Sequence, residues 1–116
     1  MTFSMHSGDT KRLNFTLLDG TGQPLDITDA AVRWQCSRYR NGKFSSTPAL
    51  TKTVNNGIEV TDEFNGLLTV FLYPEDTEEI SGEFYHELQV TDASGDIATP
   101  FVGTFVVNKS LVKGPD

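Results

Sequence analysis

Gly82-Glu83-Phe84-Tyr85-His86-Glu87-Leu88-Gln89-Val90-Thr91, followed by Asp92-Ala93-Ser94-Gly95-Asp96, decides the fold. Phe84, His86, Leu88 and Val90 alternate with Tyr85, Glu87, Gln89 and Thr91. A strand sends successive side chains to opposite faces, so a period of two predicts a half-buried strand. The Asp/Gly-rich stretch that follows is turn chemistry, because Asp bonds its own backbone and Gly accepts a positive φ. Upstream, Val32, Trp34 and Cys36 alternate with Arg33, Gln35 and Ser37. Leu13, Phe15 and Leu17 alternate in the same way with Arg12, Asn14 and Thr16. Helical periodicity persists nowhere beyond about two turns.

The other runs fit the same scheme. Phe3 and Met5 share one face of Thr2 to Ser7, and Gly8 is either a bend between two short strands or a kink within one long one. Asp19-Gly20-Thr21-Gly22 is a turn, and Arg40 to Pro48 reads as a loop. Asn55-Asn56-Gly57 separates Leu50 to Val54 from Ile58 to Thr61, and Asn-Gly between alternating runs predicts a hairpin. Leu67 to Tyr73 is a further strand. Pro74-Glu75-Asp76-Thr77-Glu78-Glu79-Ile80 is the one helix-like patch: Pro suits a first turn, and the acids oppose the positive end of the helix dipole. In Ile97 to Asn108, Val102 or Phe105 and Val107 face inward, and Pro100 predicts an edge or a bulge. The sum is an all-β chain, an antiparallel β-sandwich of seven or eight strands with one short helical turn near residues 74–80. A single sandwich domain is expected over residues 1–108, with a flexible tail over 109–116 that ends in Lys113-Gly114-Pro115-Asp116.

At 116 residues the chain has the size of one domain, and its eight Phe, three Tyr and one Trp supply bulky core material. Nine Lys and Arg against 16 Asp and Glu leave a net charge of −7. Such a surface repels phosphate, which argues against nucleic acid and anionic membranes as partners. No basic leader and no long apolar run is present, so synthesis in the cytoplasm is expected. The lone Cys36 has no partner for a disulfide or for a multi-thiolate metal site.

Catalytic chemistry has little to stand on. An aspartic protease needs Asp-Thr-Gly, and Asp19-Gly20-Thr21-Gly22 and Asp92-Ala93-Ser94-Gly95 have the wrong order or spacing. A Ser/His/Asp hydrolase would use His6 or His86 as its base, but no nucleophile elbow is near either. His86 shares its face with Phe84, Leu88 and Val90, which predicts a hydrogen-bonded core histidine, and Cys36 on the Trp34 face predicts a buried, inert thiol. Acids cluster at Asp26/Asp29, Asp62/Glu63, Glu75/Asp76 and Asp92/Asp96, without the alternating spacing of a calcium loop, so turn formation is expected of them. Tyr39, Phe44, Tyr73 and Tyr85 are the candidates for a sugar platform, Phe44 above all because its loop is polar. The expectation is a non-enzyme with no catalytic, cofactor-binding or metal-ligating residue, and no ligand-binding residue is assigned.

Asp76-Thr77 followed by Gly82, Phe84 and Tyr85 resembles the helical turn and tyrosine corner of immunoglobulin-like sandwiches, and Trp34 fits their central Trp. The cysteine pair of that fold is missing, which suits a reducing compartment. A narrower resemblance joins Gly8-Asp9-Thr10, Pro24-Leu25-Asp26-Ile27-Thr28, Gly66 to Leu72 running into Pro74-Glu75-Asp76-Thr77, Gly82 to Asp92, and Gly103-Thr104-Phe105-Val106-Val107. That succession, over residues 8 to 108, resembles the small immunoglobulin-like β-sandwich domains of tailed-bacteriophage virion proteins, including the amino-terminal domain of baseplate upper proteins. The resemblance implies a non-enzymatic structural or adaptor protein of a phage or prophage virion, in its tail, baseplate, neck or fibre attachment. It implies other virion proteins as partners, a homo-oligomer, and location in the virion after synthesis in the bacterial host cytoplasm. Thr2 to Ser7 and Ser110 to Val112 are the natural segments for exchange with a neighbour. The alternative is a β-sandwich module that binds carbohydrate or a cell-surface ligand through loop aromatics such as Phe44.

Overall fold

The computed structural model describes residues 2–112. In chain order they form β1 (Thr2–His6), β2 (Lys11–Thr16), β3 (Ala31–Arg40), β4 (Lys43–Phe44), β5 (Leu50–Val54), β6 (Gly57–Asp62), β7 (Leu67–Leu72), α1 (Pro74–Thr77), β8 (Gly82–Thr91) and β9 (Ile97–Asn108). The strands make one sheet in the order β1-β9-β8-β3-β5-β6-β7-β2, with β4 folded back on the end of β3. Its two end strands, β1 and β2, are neighbours in sequence, and the Lys11 ammonium lies 5.4 Å over the Phe3 ring. The sheet therefore curls until it is nearly closed, and its inner face is the core.

The period of two explains which side chains go there. Val32, Trp34 and Cys36 of β3, Phe84, His86, Leu88 and Val90 of β8, and Leu68, Val70 and Leu72 of β7 are all buried. Phe105 of β9 sits at the centre, stacked on Phe3 at 4.7 Å and Phe84 at 5.4 Å and meeting the His86 ring edge-on at 5.1 Å. Phe15 of β2 reaches Phe101 of β9 at 4.8 Å, so strands far apart along the sheet touch through its interior.

Gly8 is a bend between two strands, with φ +82°. Its N–H donates to Thr77 Oγ1 at 2.9 Å, and Thr77 is fully buried in α1. The corner that separates the two end strands is thus pinned to the helical turn. Thr77→Val keeps the side-chain shape and removes the acceptor. A loss of about 1–2 kcal/mol is expected, since Gly8 is half-buried, and urea unfolding would read it.

The architecture differs from the sequence expectation in four places. Nine strands are present among the described residues, not seven or eight, because the stretch read as a loop contains β4. Asn41 and Gly42 both have positive φ, 54° and 74°, and Tyr39 pairs with Phe44 and Arg40 with Lys43. This is the geometry of a two-residue hairpin turn. Asn55-Asn56-Gly57, by contrast, does not open a hairpin: β5 and β6 meet in parallel over Thr53–Gly57 and Val54–Ile58 alone. The pairing of β6 with β7, Ile58 opposite Val70, carries the chain onward and overrides the local signal. Nor is the sheet antiparallel throughout, since β1 also runs parallel to β9, Phe3 opposite Phe105. Finally, the helix covers Pro74–Thr77 rather than reaching residue 80. Pro100 does mark a bulge: between the pairs Leu88–Phe101 and Val90–Ala98, β9 has one residue more than β8. The bulge resets the phase, so Phe105 and Val107 are buried while Val102 is 53% exposed. Of the tail expected over 109–116, residues 113–116 lie outside the described residues, and the Ser110 N–H donates to Ser7 Oγ at 2.9 Å.

Candidate functional site

His86 and Cys36 are committed to the fold. His86 is fully buried, and the indole N–H of Trp34 donates to its Nδ1 at 3.0 Å. An indole nitrogen can only donate, so Nδ1 must present a lone pair and the imidazole is held as its neutral Nε2–H form. His6 is exposed at the end of β1, opposite Asn108, and the two histidines do not form a pair. Cys36 is buried, and burial pushes its thiol up to about 12. At neutral pH it carries essentially no thiolate, the nucleophilic form. An aromatic disulfide reagent at pH 8 should therefore label the native protein only as fast as it opens, and immediate labelling would contradict the burial.

The acidic pairs build turns. Asp19 Oδ1 accepts from the Thr21 N–H at 2.8 Å and hydroxyl at 2.6 Å, and from the Gln23 N–H at 3.0 Å. Asp92 Oδ1 does the same for the Ser94 N–H and hydroxyl and the Asp96 N–H, and Asp26 Oδ1 accepts from the N–H and hydroxyl of Thr28. The side-chain hydroxyl bonds are the main cause that holds these three carboxyls below their ordinary 3.8. A depressed folded value means that the bonds stabilise the turns at neutral pH. That support is lost as the pH falls below the ordinary value and through the lowered one. Among the described residues, no group of three or more His, Cys, Asp and Glu is arranged to hold a metal ion. No described helix is long and apolar enough to cross a membrane.

Three of the four aromatic candidates come together. Phe44, carried back by the β3–β4 hairpin, stacks on Tyr85 of β8 at 4.5 Å with the rings 13° apart, and Tyr39 of β3 lies 6.4 Å from Tyr85 on its outer face. Phe44 is 56% exposed. Tyr85 donates its hydroxyl to Glu87 Oε2 at 2.9 Å. Desolvation first, and then that bond to a carboxylate, push the phenol above its ordinary value, so it stays a donor. Phe44 and Tyr85 border a hollow of about 220 Å³ floored by Gln35, Ser37 and Glu87 and walled by Ser45 and Pro48. Tyr73 does not join it. It stacks on Phe71 at 6.2 Å and lies under the Lys52 ammonium at 5.0 Å.

One buried ion pair escapes the sequence reading. Lys52 projects from β5 to the inner side and meets Asp76 Oδ2 at 2.7 Å, and the same oxygen accepts the Tyr73 N–H at 2.7 Å. Asp76 thereby caps α1 and ties it to β5. The one signal in the sequence is phase: Lys52 stands between Leu50 and Val54 on the apolar alternation of its strand.

No protein-family model matches this chain, and no curated protein matches it.

Proposed function

We infer that the chain is a non-enzymatic structural or adaptor protein of a phage or prophage virion, acting through protein–protein contacts. The observation that carries this reading is the outer surface of β9 and its continuation. Ile97 is 65% exposed and Val102 53%, and beyond the strand Leu111 and Val112 are almost wholly exposed. Apolar side chains in such positions suit burial against another protein.

The strand order supports the immunoglobulin-like form of the reading. Along the sheet, β1-β9-β8-β3-β5 and β6-β7-β2 are joined by two register pairs, between β5 and β6. That contact is narrow enough for the sheet to be taken as two facing layers. Trp34 then occupies the middle of the larger layer, packed on His86 and Phe105 at 5.7 and 6.3 Å. The succession of motifs from Gly8 to Val107 supports the narrower likeness to virion domains. A net charge of −7 keeps free subunits apart until a partner docks.

Closed oligomers of identical chains are the usual outcome for such contacts. Light scattering across a hundredfold dilution is expected to give a constant trimer, hexamer or larger ring, and Val102→Glu to dissociate it. A monomer that also bound no tail component would overturn the reading.

A further inference from the structure

The hollow beside Phe44 is one end of a longer furrow. A second hollow of about 60 Å³ shares Gln35 and Glu87 with it, and a third of about 240 Å³ shares Arg33 and Gln89 with the second. The strand register explains the continuity. On the outer face of β3 and β8, Tyr85 faces Ser37, Glu87 faces Gln35, Gln89 faces Arg33 and Thr91 faces Ala31. From Tyr85 to Thr91 this row runs roughly 20 Å.

We propose that this furrow binds a neutral, linear oligosaccharide, a role independent of the virion reading. Three features select that ligand class. Its middle is lined by an amide, a carboxylate, a second amide and a guanidinium, from Gln35, Glu87, Gln89 and Arg33. Planar groups of this kind donate or accept two hydrogen bonds side by side, which suits arrays of vicinal hydroxyls. Gln35 is already oriented, since its Nε2 donates to Thr51 Oγ1 at 3.1 Å. One end carries the exposed ring of Phe44, backed by Tyr85, a platform for the apolar face of a sugar ring.

Charge and topology narrow the choice further. Among the described residues, Arg33 and Glu87 are the only charged ones lining the three hollows, and they cancel, so this lining is neutral in a chain of net charge −7. An acidic or basic polymer finds no complement there. An extended peptide would bind by adding a strand at an open edge. Here β3 lies between β8 and β5, and β8 between β9 and β3, so both backbones are already paired. Recognition must come from side chains.

The test is a titration of the ¹⁵N-labelled chain with maltohexaose, cellohexaose, laminarihexaose and chitohexaose, each to millimolar concentration, reading the side-chain amide signals of Gln35 and Gln89. At least one sugar should shift both signals saturably. Phe44→Ala should weaken that binding by about tenfold. Phe44 is exposed on a two-residue strand, so this variant keeps the fold, and an otherwise unchanged spectrum checks that. Gln89→Ala, at the far side of the polar quartet, should weaken it as well. No shift with any of the four sugars would overturn the proposal. So would shifts of the same amides on raising the protein concentration without sugar, which would make the furrow a contact between copies.

Discussion

Trp34→Ala is expected to destabilise the fold by about 3–5 kcal/mol, a large share of what a domain of this size possesses. Trp34 is fully buried in β3 and touches His86 and Phe105 at 5.7 and 6.3 Å. Truncation opens a cavity at the point where β3, β8 and β9 pack, and it also removes the N–H that His86 Nδ1 accepts. Trp34→Phe separates the two effects. It refills most of the space and still lacks the donor, so a loss of about 1–3 kcal/mol is expected from the hydrogen bond and the residual void. Denaturant unfolding of the three proteins would give the order. A loss below about 1 kcal/mol for the Ala variant would mean that the core is not organised around this residue.

The second large effect is expected at Lys52. Lys52→Met should cost about 3 kcal/mol, because it leaves the Asp76 carboxylate buried without its cation. Both side chains are mostly shielded, at 10% and 15% exposure, so solvent screens the pair only weakly. Asp76→Asn should cost a similar amount for the mirror-image reason. The double variant Lys52→Met/Asp76→Asn leaves no uncompensated charge, and its loss should fall clearly short of the sum of the two single losses. Strict additivity would show that the two groups do not act as a pair. The lysine stem also explains Gly57: a Cβ there would lie 2.3 Å from Lys52 Cδ, at a backbone φ of +98°. Thus the Lys52 side chain runs from β5 past Gly57 of β6 to Asp76 of α1.

Much of this was legible from alternation alone. The inward sets of β2, β3 and β8, with His86 as a bonded core residue and Cys36 as a buried thiol, follow from a period of two. The Asp turns follow from residue type, since Asp19, Asp26 and Asp92 bond their own neighbours in sequence. What long-range pairing decides was hidden. Asn-Gly occurs three times, at 41–42, 56–57 and 65–66. The first makes a hairpin because Tyr39 and Phe44 continue as partners, whereas the second yields to the pairing of Ile58 with Val70. The candidate face was half legible. Tyr39, Phe44 and Tyr85 could be named as aromatics, but their stacking depends on the β4 turn-back. The quartet of Gln35, Glu87, Gln89 and Arg33 depends on a cross-strand register that no local pattern encodes. Lys52 and Asp76 are 24 residues apart, and only the tertiary fold makes them partners.

The proposed virion role is tested most directly by searching purified tailed-phage particles, from a phage or induced prophage found to carry this reading frame, for its peptides by mass spectrometry. The expected result is this protein in a fixed copy ratio to the other tail-region proteins, retained after high-salt washing. Its absence from particles that remain fully infective would contradict the assignment.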